Sequence, residues 1–194
     1  MGDTSRRFVR KNVNLARNRL ARAGGYEVEA TTSWEAERVL AEAAPLHAAR
    51  QGELGRASLL SDPGGLAFLA ETIRHHTGRG RFRAYWLRHR GRTIAYMLGF
   101  EERGVFHAWN MAFDPEAACF YPSRLLIHEI LRDCHARGMR EFDFMRGEAD
   151  YKSKWTTRGR PRTKLVVKNR TTVYGRALHF LESVLTRPKE VATR

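Results

Sequence analysis

The sequence holds only two cysteines, Cys119 and Cys134, without CxxC spacing. That excludes a disulfide framework and a thiolate metal knuckle, and it predicts that both thiols serve as packing residues. No apolar run approaches the roughly 20 residues that span a bilayer, so a membrane-spanning class is excluded. The start, MGDTSRRFVRKN, is basic but lacks the apolar stretch and small-residue cleavage site of an export signal, which predicts a cytoplasmic protein. Internal repeats and low-complexity tracts are lacking too, so solenoid and linker-like organisations are out. Acidic residues are in short supply: 21 Asp and Glu face 35 Lys and Arg, for a net charge of +14. Such a field gathers phosphates, nucleic acid or other polyanions, or else marks a solvated basic surface.

What is present suits one globular domain over residues 1–194: 42% hydrophobic and 29% charged residues are enough for a core under a soluble surface. Val9, Val13, Ala16 and Leu20 recur at helical spacing, predicting a basic helix over residues 6–24 that Gly24-Gly25 stop. Its polar face carries Arg6, Arg10, Lys11, Arg17, Arg19 and Arg22, an RNA- or polyanion-contacting face in the sharper reading. The core is expected over 26–168. Tyr26, Val28 and Ala30 alternate as a short strand, and Thr32 with Glu35 reads as a capping box for a helix to about Arg50. Asp62-Pro63 opens a third helix.

RFRAYWLRH, TIAYMLGF and VFHAWNMAF, separated by Arg90-Gly91 and Glu102-Arg103-Gly104, predict a three-stranded antiparallel meander. Ser123 is the expected N-cap of a helix carrying Leu126, Ile127, Ile130, Leu131 and Cys134, ended by Gly138. Strands are expected at 141–145 and 164–168, with a closing helix at 172–187. The fold class is α+β with a central mixed sheet.

The stretch EFDFMRGEADYKSKW carries Asp143, Arg146, Tyr151, Lys152 and Trp155 in one run. It resembles the Asp-Phe-x-Arg-Gly-(acid)-x-x-Tyr-Lys-x-x-Trp motif of a GNAT-superfamily acyltransferase domain found with cellulose-biosynthesis proteins and biotin-pathway fusions. That domain is in turn similar to FemABX and leucyl/phenylalanyl-tRNA transferases. The likeness extends over roughly Arg6 to Thr157.

The resemblance implies a GNAT fold in which two central strands part, acyl-CoA (acetyl-CoA among others) as donor, an amine acceptor, and no metal. The related transferases carry two GNAT-like halves, so either a partner (a homodimer or a separate second half) supplies the other half, or the chain acts alone, or it is a shortened, non-catalytic remnant. The resemblance gives Tyr151 the role of proton donor to the leaving thiolate and Lys152 an electrostatic role at the carbonyl or phosphates. Asp150 or Glu148 is a candidate proton acceptor, as is His107 on the strand before the donor loop.

Alternation places His107 and Asn110 on opposite sheet faces, one of them in the cleft. Asp143 and Arg146 are read as substrate-binding or structural residues, Asp143 facing either the cleft or a clamp with Arg146, and Trp155 packs or stacks on the acceptor. Tyr121, Ser123 and Arg124, with Asn110, are the candidate donor-binding residues. Here the chain reads Tyr-Pro-Ser-Arg-Leu-Leu where the family tends to Ser-Pro-Gly-x-x-Leu, and the missing glycine removes the easiest backbone approach to a pyrophosphate. Aminoacyl-tRNA therefore stands as the alternative donor, and a non-catalytic polyanion-binding module as a third reading.

Overall fold

A computed structural model describes residues 3–147 and 150–161. The chain divides into two compact units, residues 1–157 and 158–194. Almost all of the second unit, with the strand expected at 164–168 and the closing helix at 172–187, lies outside the described residues. The first unit is the subject below.

Helix α1 runs Asp3–Arg22, a few residues earlier at both ends than the spacing predicts. Val13, Ala16 and Leu20 are its buried stripe. It closes where Gly24 and Gly25 take positive φ and the Gly25 N–H donates back to the Leu20 carbonyl at 2.8 Å, a conformation glycine adopts without steric cost. Strand β1 follows at Glu27–Thr31.

The expected capping box does not form. Helix α2 spans Ala36–Glu53, its N-cap Glu35 is extended with no side-chain cap, and the nearby Thr31 hydroxyl accepts the Ser33 N–H at 3.4 Å. The cap at α3, Pro63–Thr77, does form: the Asp62 carboxylate accepts the Gly65 N–H at 2.6 Å and Pro63 occupies the first turn.

The meander is β2 (Phe82–His89), β3 (Arg92–Glu102) and β4 (Val105–Phe113). Its turns, Arg90-Gly91 and Arg103-Gly104, have positive φ at both central residues, the hairpin geometry that matches strand twist. A 3-10 turn over Pro115–Phe120 leads to α4, Pro122–Ala136, and then to β5, Glu141–Asp143. The N-cap of α4 is Tyr121, not Ser123: Pro122 pre-sets the first helical φ and places the cap one residue before itself. A short helix α5 covers Asp150–Ser153.

The sheet order is β1-β2-β3-β4-β5, antiparallel through β4 and parallel between β4 and β5. Both faces are covered. Leu20, Tyr85, Met97, Phe106, Leu125, Ile130 and Trp155 form a core under α1 and α4; Val39, Leu69, Ile73, Trp86, Tyr96 and Leu98 form another under α2 and α3. Cover on both sides explains the nearly unbroken apolar runs of β2 and β3.

At one end of α4, Arg137 donates to Asp133 and Glu101, each at 2.7 Å, and the Tyr85 hydroxyl donates to Asp133 at 2.5 Å. This group ties the helix to β2 and β3, and burial holds the Tyr85 phenol well above its ordinary pKa. Cys134 is buried, with its thiol pushed up to about 11, whereas Cys119 is exposed and does not pack as expected.

The core also strips water from imidazoles. Burial lowers His47, which meets the Ser58 hydroxyl at 2.7 Å, and also lowers His76 and His128. Each is therefore neutral in the folded state at pH values where the unfolded chain binds a proton. Stability is full above the unfolded histidine pKa of about 6.5 and declines as pH falls below it. Urea midpoints should drop between pH 7.5 and 5.5 at constant m-value, and His47→Gln should flatten that slope.

Gly99 offers a second check, because a Cβ there would lie 2.3 Å from the Phe106 ring and 2.8 Å from the His107 carbonyl. Gly99→Ala should cost about 1–3 kcal/mol in urea unfolding through overpacking.

Candidate active site

The site begins with a mismatch of strand lengths. β5 pairs with β4 at Val105–Glu141, Phe106–Phe142 and His107–Asp143. Beyond His107, β4 continues to Phe113, and among the described residues no strand pairs with that outer edge. β5 ends two residues sooner than alternation predicts because the chain turns: the Asp143 carboxylate accepts the Met145 N–H at 2.7 Å, and Met145 takes φ +60°. The pairing of the two strands ends at this point, and among the described residues the β4 edge beyond His107 has no strand partner.

β4 also carries a bulge. Its register with β3 passes from Gly99–Ala108 to Leu98–Asn110, so Trp109 is an extra residue. The bulge overturns the expectation that His107 and Asn110 face oppositely. His107 lies opposite Phe100 and Asn110 opposite Leu98, and both of those belong to the α2–α3 side. Strict alternation fails because one residue is looped out between the two. Asn110 accepts the Tyr96 hydroxyl at 2.6 Å, so its carbonyl serves a buried phenol.

His107 meets Asp143 instead, Nδ1 to carboxylate at 3.3 Å, with the two side chains 32% and 22% exposed. The expected clamp gives way to this contact and the Met145 N–H. Arg146 is exposed, and its carbonyl accepts from Lys152. The parallel register decides the matter, since it sets residue 143 beside residue 107 on the same face.

Lys152 holds the turn together. Its ammonium donates to the carbonyls of Met145 at 3.3 Å, Arg146 at 2.9 Å and Gly147 at 3.1 Å. These contacts cap the loop that carries Lys152 beside the turn after β5. Tyr151 packs edge-on against Phe144 with ring centroids 6.2 Å apart, and Phe144 belongs to the α1–α4 core. Desolvation raises the Tyr151 phenol above its ordinary pKa, which keeps it protonated and able to donate. Asp150 is exposed at the start of α5, where its carbonyl accepts the Ser153 hydroxyl at 2.8 Å. Trp155 is buried in the core, and Glu148 lies outside the described residues.

At the entry to α4, Tyr121 adopts the left-handed conformation, φ 53° and ψ 49°. Two guanidinium groups approach its ring, Arg19 at 5.1 Å and Arg124 at 4.5 Å from the centroid. Arg124 also donates to Asn12 at 2.8 Å, and Arg19 to the Cys119 carbonyl at 2.5 Å, so α1 is fastened across this entry. Ser123 sits half-buried in the first turn. Sequence reasoning missed Arg19 at this place, and missed the Trp109 bulge and the partner of Asp143. Side-chain alternation carries no mark of a bulge, and no local pattern joins residues 107 and 143.

Among the described residues no group of three or more His, Cys, Asp or Glu is placed to hold a metal ion, and no helix is long and apolar enough to cross a membrane. A family model described as an acetyltransferase (GNAT) domain matches residues 7–153, and the chain belongs to that family, whose members move acetyl groups from acetyl-CoA. The fold is accordingly the GNAT fold, α+β with a mixed five-stranded sheet.

Solved structures agree on the fold. An aminoglycoside acetyltransferase from an uncultured soil metagenomic sample, in complex with trehalose, is 13% identical at TM-score 0.50, covering 74% of this chain and 96% of its own. A probable acetyltransferase is 12% identical at TM-score 0.52, covering 73% and 99%. No curated protein matches the sequence.

If Lys152 fastens the turn after β5, Lys152→Met should raise amide hydrogen exchange at residues 143–147 by about tenfold, an opening cost lower by about 1.4 kcal/mol. Exchange in β2 and β3 should stay unchanged; equal protection in both variants would mean the ammonium does not hold the loop.

Proposed function

We propose that this chain transfers an acyl group from acyl-CoA to the nitrogen of a small amine or amino sugar, with the donor in the gap between β4 and β5. The observation that carries the reading is the edge of β4 from Ala108 to Phe113, which has no strand partner among the described residues and holds the Trp109 bulge. The donor's pantetheine arm is an extended chain with two amides, and an extended amide chain is the natural partner of an unpaired strand edge. Backbone N–H groups freed from the ladder by the bulge can polarise the thioester carbonyl. At the α4 entry, Arg19, Arg124 and the Ser123 hydroxyl supply cationic and polar groups for phosphates in place of the missing glycine.

In this reading a neutral amine attacks the thioester carbon, forming the C–N bond, and collapse of the tetrahedral adduct breaks the C–S bond. The ammonium proton passes to the free ring nitrogen of His107, and the departing thiolate takes the Tyr151 phenol proton. Tyr151 packs on Phe144 of the α1–α4 side while His107 lies on the α2–α3 side, which supports a proton donor and a proton acceptor on opposite sides of the sheet. The motif through Asp143, Arg146, Tyr151, Lys152 and Trp155 supports placement with the cellulose-biosynthesis and biotin-fusion type of GNAT domain, acting in the cytoplasm alone, as a homodimer or with a separate second half.

Aminoacyl-tRNA as donor is the second reading. It is favoured by the +14 charge and by Arg7, Arg10, Lys11 and Arg22, exposed along α1.

Calorimetric titration with coenzyme A should give a saturable 1:1 isotherm. Thiol release from acetyl-CoA across a panel of primary amines and amino sugars should fall about 10- to 100-fold in kcat for Tyr151→Phe, with little change in KM. Absence of any heat with coenzyme A, together with salt-sensitive binding of charged tRNA, would move the assignment to the second reading.

A further inference from the structure

The parallel register sets His107 and Asp143 side by side on one face of the sheet, Nδ1 to carboxylate at 3.3 Å. The carboxylate is itself oriented, because its other oxygen accepts the Met145 N–H at 2.7 Å across the turn that ends β5. An ionised carboxylate can only accept, so the imidazole places its proton on Nδ1; the other tautomer would set a lone pair against the anion. Nε2 is then the basic nitrogen. The turn that opens the gap and the contact that selects the tautomer thus share one side chain.

We propose that Asp143 is the positioning residue of the transfer reaction, holding His107 in the Nδ1–H tautomer and aiming Nε2 at the acceptor amine. This rests on the reading of His107 as the base. The amine proton moves to Nε2 as the C–N bond forms, and the resulting imidazolium is stabilised by the Asp143 carboxylate without a second proton transfer.

Asp143→Asn tests the proposal cleanly, because the amide keeps an oxygen for the Met145 N–H while losing the obligate acceptor. The 15N shifts of the His107 ring report the tautomer directly in the full chain without any substrate. The wild type should show a protonated Nδ1 and a bare Nε2, and Asp143→Asn should shift the population toward Nε2–H. With acetyl-CoA and the best amine from the panel, Asp143→Asn should lose about 10- to 100-fold in kcat at similar KM, and His107→Gln at least as much. Asp143→Glu should recover part of the loss, and thermal melts should establish that each variant is folded. An unchanged tautomer in folded Asp143→Asn overturns the positioning role, even if His107→Gln is inactive. Full activity in His107→Gln overturns the base reading itself, whatever the tautomer, and with it any catalytic part for Asp143.

Discussion

Everything distinctive about this molecule depends on how briefly β4 and β5 pair. Three residues of parallel register join them, from Val105–Glu141 to His107–Asp143, and then the strands separate. A fully zipped pair would satisfy every backbone group and close the site. Among the described residues, the short zipper leaves the β4 edge from Ala108 to Phe113 without a strand partner on that side, in a sheet whose two faces are covered by helices. A ligand with its own amides can provide that partner.

The surrounding structure fixes where the pairing of β4 and β5 ends. Asp143 and Met145 turn the chain off the sheet, and Lys152 fastens the turn through three carbonyls. The group made by Arg137, Asp133, Glu101 and Tyr85 anchors the end of α4 to β2 and β3. At the opposite end, α1 crosses to the α4 entry through Arg19 and Arg124. The N-terminal helix is in this way fastened to the start of α4. Its basic face is divided: Arg17 pairs with Glu129 at 3.1 Å and Arg19 reaches Cys119, while Arg7, Arg10, Lys11 and Arg22 stay exposed.

Much of the architecture was legible from residue patterns because it is governed by local physics. The meander follows from apolar runs and two X-Gly turns, α3 from Asp62-Pro63, and α4 from its stripe and Gly138. The capping box at Thr32 misled because hydroxyl and carboxylate spacing fits several turns, and the side chain used, Thr31, was one residue away. The N-cap of α4 moved to Tyr121 because the proline ring, rather than the serine hydroxyl, governs that turn.

At the site the division is sharper. The residue types and their order, Asp143 through Trp155 with His107 upstream, were determined by the sequence alone, and so was the family likeness they carry. Their assignments needed the folded chain. Whether His107 and Asn110 share a face turned on one extra residue at Trp109, and whether Asp143 meets Arg146 or His107 turned on the register of a parallel pair closed by α4. Helical and strand periodicities are short-range properties of a chain, readable from neighbours. Register between strands far apart in sequence is set by the packing of the whole sheet and its helices, so only the tertiary structure could decide it.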